Sequence, residues 1–155
     1  MYSSRRFLPL ADEIARELRG TVGLEWLDTP RFVERLRRYS IAAAQLELLE
    51  AWIDQIPFVE AASVPMRDGG TQTALDLQLD LMATVHTWAK RCGLYPSVGA
   101  DVQADIDASL RTVVKRRERE ALQAALLEDV GKQMAANPVA WTIPWKRFTD
   151  PRGQG

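Results

Sequence analysis

One apolar stripe, about seven helical turns long, constrains this chain more than any other feature. It recurs at steps of three and four residues, at Phe32, Leu36, Tyr39, Ala43, Leu46, Leu49, Ile53 and Ile56. Side chains at this spacing lie on one face of an α-helix. Asp28 or Thr29, followed by Pro30, is typical of a helix start, and Pro57 is typical of a helix end. The stripe therefore predicts one long amphipathic helix.

A second long helix is predicted from Thr73 to Cys92. Four leucines near its start alternate as in a strand: Leu75, Leu77, Leu79 and Leu81. The run continues to Cys92 without a turn signal, however, and Gly93 suits the position that ends a helix. Its polar residues share one side, so we expect a helix that is apolar over most of its girth, deeply buried, and packed antiparallel to the first.

The remaining elements complete a mainly α fold. Phe7 to Leu18 is predicted as a short N-terminal helix, and residues 98–137 as one or two further helices. The connector 57–70 is rich in proline and glycine and is compatible with a short hairpin. We expect three regions: a basic helical segment (1–27), a helical core and oligomerisation domain (28–137), and an extended C-terminal tail rich in tryptophan and proline (138–155).

The residue inventory argues against most enzyme classes. The chain has 155 residues, 46% of them apolar, and contains one cysteine (Cys92) and one histidine (His86). Six residues apart on a helix, these two side chains diverge by roughly 240° and cannot form a nucleophile and base pair. No phosphate-binding glycine loop occurs. We expect no enzymatic activity, no cofactor and no metal; Asp76 and Asp80 fit a solvated helix face better than a cation site.

Charge is unevenly distributed along the chain. Residues 1–38 carry eight arginines against six acidic residues (+2), residues 39–110 three basic against ten acidic (−7), and residues 111–155 nine basic against five acidic (+4). Basic ends of this kind fit contact with a polyanion, although solvated helix faces give similar tallies. The DNA-binding candidates are Arg5, Arg6, Arg16, Arg19, Arg31, Arg35, Arg38, Lys115, Arg116, Arg117 and Arg119.

The C-terminal tail holds the candidates for partner binding: Trp141, Trp145, Lys146, Arg147 and Phe148. Tryptophan and arginine are enriched among the residues that dominate protein interfaces. Two interpretations stay open, because the tail can fold back on the core or dock on a partner. No apolar run is long enough to span a membrane, so we expect a cytosolic protein without a membrane partner.

Three segments in sequence order resemble the small terminase subunits of tailed phages. They are the helix from Arg37 to Glu50, the connector Asp68-Gly69-Gly70, and the turn Cys92-Gly93-Leu94-Tyr95-Pro96-Ser97 that follows the second helix. The resemblance covers Leu27 to Ala100, about half of the chain. It implies a non-enzymatic, ring-forming helical subunit in the host cytoplasm. Such a subunit binds double-stranded viral DNA and directs a separate large terminase subunit, which holds the ATPase and nuclease.

Two other functions remain open from the sequence. A dimeric helical DNA-binding regulator would bind specific sequences, although no recognition helix of a helix-turn-helix is evident. A helical adaptor without a nucleic-acid role would bind its partner independently of salt. The mass in solution separates the regulator from a multi-copy ring, and DNA binding separates the adaptor from both.

Overall fold

The computed structural model describes residues 6–137. Five helices follow one another: α1 (Phe7–Arg19), α2 (Pro30–Ile53), α3 (Phe58–Ser63), α4 (Ala74–Cys92) and α5 (Ala100–Ala136). A short 3-10 turn, Glu25–Asp28, precedes α2. The prediction of a mainly α fold with a short N-terminal helix and two long central helices is confirmed.

Helix α2 begins as its sequence predicts. Thr29 is extended and Pro30 is the first helical residue, where the missing N–H costs nothing. The helix ends at Ile53, three residues before the predicted stripe ends, because the backbone tightens into turns at Asp54–Ile56. Cross-contacts fix its partner: Glu50 accepts a hydrogen bond from Gln78, and Arg35 donates to the Arg91 carbonyl. Rising numbers on α2 meet falling numbers on α4, so the pair is antiparallel.

Helix α4 is bounded by sequence-encoded caps at both ends. The Thr73 hydroxyl accepts from the Asp76 backbone N–H, and the Asp76 carboxylate accepts from the Thr73 N–H, which is a capping box. At the other end Gly93 takes a left-handed conformation, with φ of 72°, and ends the helix. A Cβ at Gly93 would lie 2.6 Å from Ile106 Cδ1, so a side chain at this position would require the Ile106 side chain to shift.

The main core lies where α2, the 3-10 turn, the end of α4 and the start of α5 meet. Its buried side chains are Leu27, Phe32, Leu36, Cys92 and Ile106. Trp26 Nε1 donates a 2.8 Å hydrogen bond to the Cys92 carbonyl, and this fixes the 3-10 turn against the end of α4. Large apolar side chains thus surround a single thiol.

The expectation that α4 is deeply buried was wrong. Only Ala74, Ala89 and Cys92 of this helix are buried, whereas Leu79 is 65% exposed and Met82 48% exposed. The helix carries apolar residues on two sides. One side packs on α2, and the other side is not covered within residues 6–137.

The connector 57–70 contains a helix in place of the hairpin that its composition allowed. Residues Phe58–Ser63 form α3, whose Ala61 is fully buried. The chain then turns back through Gly69, with φ of 75°, and the Met66 N–H donates to the Gln72 carbonyl at 2.8 Å. In place of a hairpin, the chain makes one isolated antiparallel bridge here, between Pro65 and Thr73. The described residues contain no strands.

Helix α5 is a single helix over the range predicted as one or two. The contacts divide the chain into two units, Met1–Val113 and Val114–Gly155. In the second unit, every residue from 114 to 137 is exposed. One ion pair in this unit, Lys132 with Glu128 at 2.9 Å, joins neighbouring turns of α5. The predicted tail, 138–155, lies outside the described residues. Among residues 6–137 no helix is apolar and long enough to cross a membrane.

Candidate nucleic-acid interface

Three arginines of α2 stand on the side of the helix that meets α4 and the first turns of α5. They are Arg31, Arg35 and Arg38, spaced by four and three residues, so that they form one row. Arg31 Nη1 lies 3.0 Å from Asp105 Oδ1, and Arg35 Nη2 lies 2.5 Å from Asp105 Oδ2. The two guanidinium groups therefore share one carboxylate that is 70 or more residues away in sequence.

Arg35 is the most firmly held member of the row. Besides its ion pair with Asp105, it donates to the Arg91 carbonyl at 3.1 Å and lies 4.8 Å from the centre of the Phe32 ring. Its side chain is only 27% exposed. These contacts join α2, α4 and α5, so Arg35 acts mainly in positioning its neighbours.

Two guanidinium groups, those of Arg38 and Arg91, lie against the ring of Trp88. The Cζ of Arg38 lies 5.1 Å and that of Arg91 4.8 Å from the indole ring, within the range of cation–π contact. Trp88 is half-buried between them. We call Arg31, Arg35, Arg38, Trp88 and Arg91 the Arg–Trp cluster. A guanidinium that stacks on an indole keeps its N–H donors free in its own plane, which suits phosphate contact.

Two carboxylates lie within the cluster and remain ionised at neutral pH. The hydrogen bond from Arg38 holds the pKa of Glu34 below its ordinary value, and the hydrogen bonds from Arg35 and then Arg31 do the same for the pKa of Asp105. Four arginines thus face two negative charges, and the surface stays cationic. Arg31 and Arg38 keep exposed fractions of 54% and 56%, so both remain accessible to an anion.

An open groove of about 830 Å³ continues this surface past the end of α4. Its lining includes Lys90 and Arg91 on α4 and Gly99 at the start of α5. On its wall, His86 Nδ1 lies 2.7 Å from the Tyr95 hydroxyl, with the two rings 4.9 Å apart. Lys90 and Arg91 place two basic side chains along the groove, whose lining also includes one carboxylate, Asp101.

The arrangement suits anion binding, and its one thiol is not available for covalent chemistry. Burial raises the pKa of the Cys92 thiol to about 12 and keeps it protonated, and the side chain has no exposed surface. Asp76 is used in the cap of α4, and Asp80 accepts a hydrogen bond from Gln72 at 2.8 Å. Among residues 6–137 no three His, Cys, Asp or Glu side chains are grouped as metal ligands.

The other predicted DNA-binding residues lie apart from the cluster. Arg16 and Arg19 stand in the last turn of α1, where basic side chains favourably meet the negative end of the helix dipole. Arg6 precedes the same helix and is exposed. Arg5 and all five tail candidates, Trp141, Trp145, Lys146, Arg147 and Phe148, lie outside the described residues.

The basic run on α5 belongs to the second unit and is exposed. Its residues are Lys115, Arg116, Arg117 and Arg119. Since neighbouring residues on a helix are about 100° apart, Arg119 shares a side of α5 with Lys115 and Arg116, whereas Arg117 points away from Lys115. The run is therefore distributed around the helix, with Glu118 and Glu120 interspersed.

Sequence reasoning did not single out Trp88, Lys90, Arg91 or Asp105 for this surface. The Asp105 carboxylate, near the start of α5, accepts hydrogen bonds from two arginines of α2. The missing information was the register of the antiparallel pair. With Arg38 opposite Trp88, the end of α4 falls beside the arginine row.

Fold and site together define a mainly helical protein with an arginine-rich face on its central helix pair. No protein-family model, no curated protein and no solved structure matches the chain.

Proposed function

We propose that this chain is a non-enzymatic, multi-copy subunit that binds double-stranded DNA through its phosphates, as a small terminase subunit of a tailed phage. In the host cytoplasm it would recruit viral DNA and regulate the large terminase subunit, which carries the ATPase and nuclease. The observation that carries the proposal is the convergence of Arg38 and Arg91 on Trp88 on one face of the α2–α4 pair, with Arg31 exposed in the same row of α2.

The composition of the cluster favours contact with the backbone of a duplex. Arginine side chains donate to phosphate oxygens, and such contacts hold a protein on DNA without reading its sequence. The face is formed by the sides of α2 and the end of α4, an arrangement that differs from a recognition helix inserted by its N-terminus. Repetition of one modest patch around a symmetry axis would supply the number of contacts that duplex binding needs.

Salt-dependent binding to duplex DNA tests the proposal. The double variant Arg38→Gln/Arg91→Gln is expected to bind more weakly than the parent, and to reduce the slope of log K against log salt by about one for each phosphate that is no longer neutralised. Binding is measured by fluorescence anisotropy with a labelled duplex. The matched control, Arg67→Gln/Lys132→Gln, removes the same formal charge outside the cluster and is expected to retain both affinity and slope.

Two outcomes would contradict this assignment. If the triple variant Lys115→Gln/Arg116→Gln/Arg117→Gln loses the salt slope while Arg38→Gln/Arg91→Gln retains it, DNA lies on the second unit. If the parent protein shows no binding at low salt, the helical adaptor takes the place of the proposed function.

The contact with the large subunit is proposed for the tail. Trp141, Trp145 and Phe148, with Lys146 and Arg147, are the residue types that anchor interfaces. Removal of residues 139–155 is expected to abolish stimulation of the large-subunit ATPase and to leave the number of copies in the assembly unchanged. A loss of assembly would give the tail a structural role.

A further inference from the structure

Trp88 is the uncharged member of the Arg–Trp cluster, and it contacts basic side chains from two helices. The Arg91 guanidinium, one turn further along α4, lies 4.8 Å from the ring centre. The Arg38 guanidinium, which comes from α2, lies 5.1 Å from it. The indole itself is half-buried. One ring thus holds two cations that the sequence separates by more than fifty residues.

The Arg38 side chain is restrained from a second direction as well. Its Nε donates a 3.0 Å hydrogen bond to Glu34 Oε1, one turn away on α2. The ring of Trp88 and the carboxylate of Glu34 together limit the orientations that the guanidinium can take. The Arg38 side chain nevertheless keeps an exposed fraction of 56%, so it is accessible to an anion while it is held.

The Arg91 side chain depends more heavily on the ring. It is exposed, and within residues 6–137 its guanidinium contacts Trp88 and forms no ion pair with a carboxylate. Fixing a long arginine side chain costs rotamer entropy, and a side chain already held on a ring has less freedom left to lose on binding. The ring therefore lowers the entropic cost of a phosphate contact at Arg91.

A tryptophan at a nucleic-acid interface can also stack on a base. Here the ring is half-buried and already contacts two guanidinium groups, which leaves little of it for a base. Guanidinium groups that stack on an indole donate from their edges, and phosphate oxygens accept from there. These contacts favour a role of Trp88 through the arginines over a role in direct contact with bases.

We propose that Trp88 is a positioning residue for DNA binding. Its ring holds the guanidinium groups of Arg38 and Arg91 in place for backbone phosphates and does not itself contact the DNA. The inference rests on the proposed function and adds the residue on which two of its arginines depend. An uncharged side chain then controls a binding step whose energy comes from charge, whereas net charge alone would give Trp88 no part in it.

Replacement of the ring at constant net charge tests the inference. Trp88→Leu is expected to bind a labelled duplex about fivefold or more weakly, because two cation–π contacts are lost. It is also expected to lower the slope of log K against log salt, although it removes no charge. The control Trp52→Leu removes another half-buried tryptophan, on α2, and is expected to retain both affinity and slope. Circular dichroism checks that each variant is folded.

A second variant leaves the ring in place. Arg38→Lys/Arg91→Lys keeps the charge but loses the planar groups that stack, and it is expected to show the same losses as Trp88→Leu. If Trp88→Leu does not fold, this variant decides alone, and parental binding by it overturns the inference.

A combined variant separates positioning from direct contact. Trp88→Leu added to Arg38→Gln/Arg91→Gln is expected to cause no further loss of binding, since the ring then has no guanidinium group to hold. A further loss would overturn the inference. So would a larger effect of Trp88→Leu on a single strand than on a duplex, because the ring would then stack on bases.

Failure of this inference and failure of the proposed function give different results. If Trp88→Leu retains the parental affinity and slope while Arg38→Gln/Arg91→Gln loses them, Trp88 only packs between the helices and the proposed function stands. A parent that does not bind duplex DNA at low salt overturns both.

Discussion

The two ends of the α2–α4 pair are built differently. At the end where α4 meets α5, five buried side chains form the core, and Trp26 and Arg35 add hydrogen bonds between elements. At the end where α3 joins α4, the buried residues are fewer and include Leu49, Ala61 and Ala74, and large apolar side chains remain exposed: Phe58 at 74%, Val59 at 72% and Leu79 at 65%.

This difference locates most of the stability at one end of the helix pair. Burial of apolar surface stabilises a fold by roughly 25 cal/mol per Å², so the end rich in buried leucine and phenylalanine contributes most of the stability of the subunit. The exposed apolar side chains at the other end gain nothing in a single copy. They gain burial only when another surface covers them, so mutations at the two ends should affect different measurements.

The largest expected effect is on the free energy of unfolding, when one leucine from each end is replaced by alanine. Leu36→Ala removes a side chain that is 2% exposed, and the loss of packing together with the residual cavity should lower the free energy of unfolding by about 3–5 kcal/mol. Leu79→Ala, at 65% exposure, should change it by less than about 0.5 kcal/mol. Urea unfolding at a concentration where the midpoint is independent of protein concentration checks both. Equal losses would show that the two ends are packed alike.

A smaller effect on the free energy of unfolding is expected when alanine replaces Gly69 or Gly93, both of which have a left-handed backbone conformation. Gly69→Ala places a Cβ in open space, with φ of 75°, and should cost about 1 kcal/mol in conformational strain alone. Gly93→Ala adds a clash with Ile106 Cδ1 at 2.6 Å and should cost about 2–3 kcal/mol. The difference between the two unfolding free energies measures the packing at the core end. No difference would mean that Ile106 moves aside freely.

The helices of this protein were predictable because their signals are local. The apolar period of α2, the Thr29-Pro30 start and the glycine at position 93 each act within a few residues, and the structure follows them. Helix α3 was missed because its six residues are too few to show a period, and its burial of Ala61 depends on contact with α4. The composition of the connector indicated a turn, which the chain makes at Gly69.

The candidate site was only partly predictable, because its geometry depends on register. The row Arg31, Arg35 and Arg38 could be read from helical spacing. That Asp105 would neutralise part of this row, and that Trp88 would hold Arg38, depends on which residues of α2, α4 and α5 lie opposite one another. An apolar stripe fixes the side of a helix that is buried, but it leaves open a shift along the helix axis. The exposure of the second apolar side of α4 could likewise not be predicted, since the sequence does not distinguish apolar residues that face the core from apolar residues that face outward.

The smallest expected effect on stability comes from the ion pairs of Asp105 with Arg31 and Arg35, and it is measured best through its dependence on pH. Arg35 and Arg31 hold the pKa of Asp105 below its ordinary value of 3.8. A carboxylate whose pKa is lower in the folded state stabilises the fold fully above the ordinary value, and this contribution is lost as the pH falls through the lowered pKa. Asp105→Asn should therefore unfold more easily than the parent at pH 7, and the gap should narrow below pH 3.8.

Urea unfolding at low ionic strength from pH 7 to pH 3 measures this gap, since urea does not screen charge. Asp107→Asn is the matched control, because Asp107 accepts a hydrogen bond from Gln103 on the same helix rather than from a second element. It should lower the stability at pH 7 by less than Asp105→Asn does. A gap between the parent and Asp105→Asn that stays constant down to pH 3 would mean that Arg31 and Arg35 do not act through the charge of Asp105. The arginine row would then be held by the Arg91 carbonyl and the Phe32 ring instead.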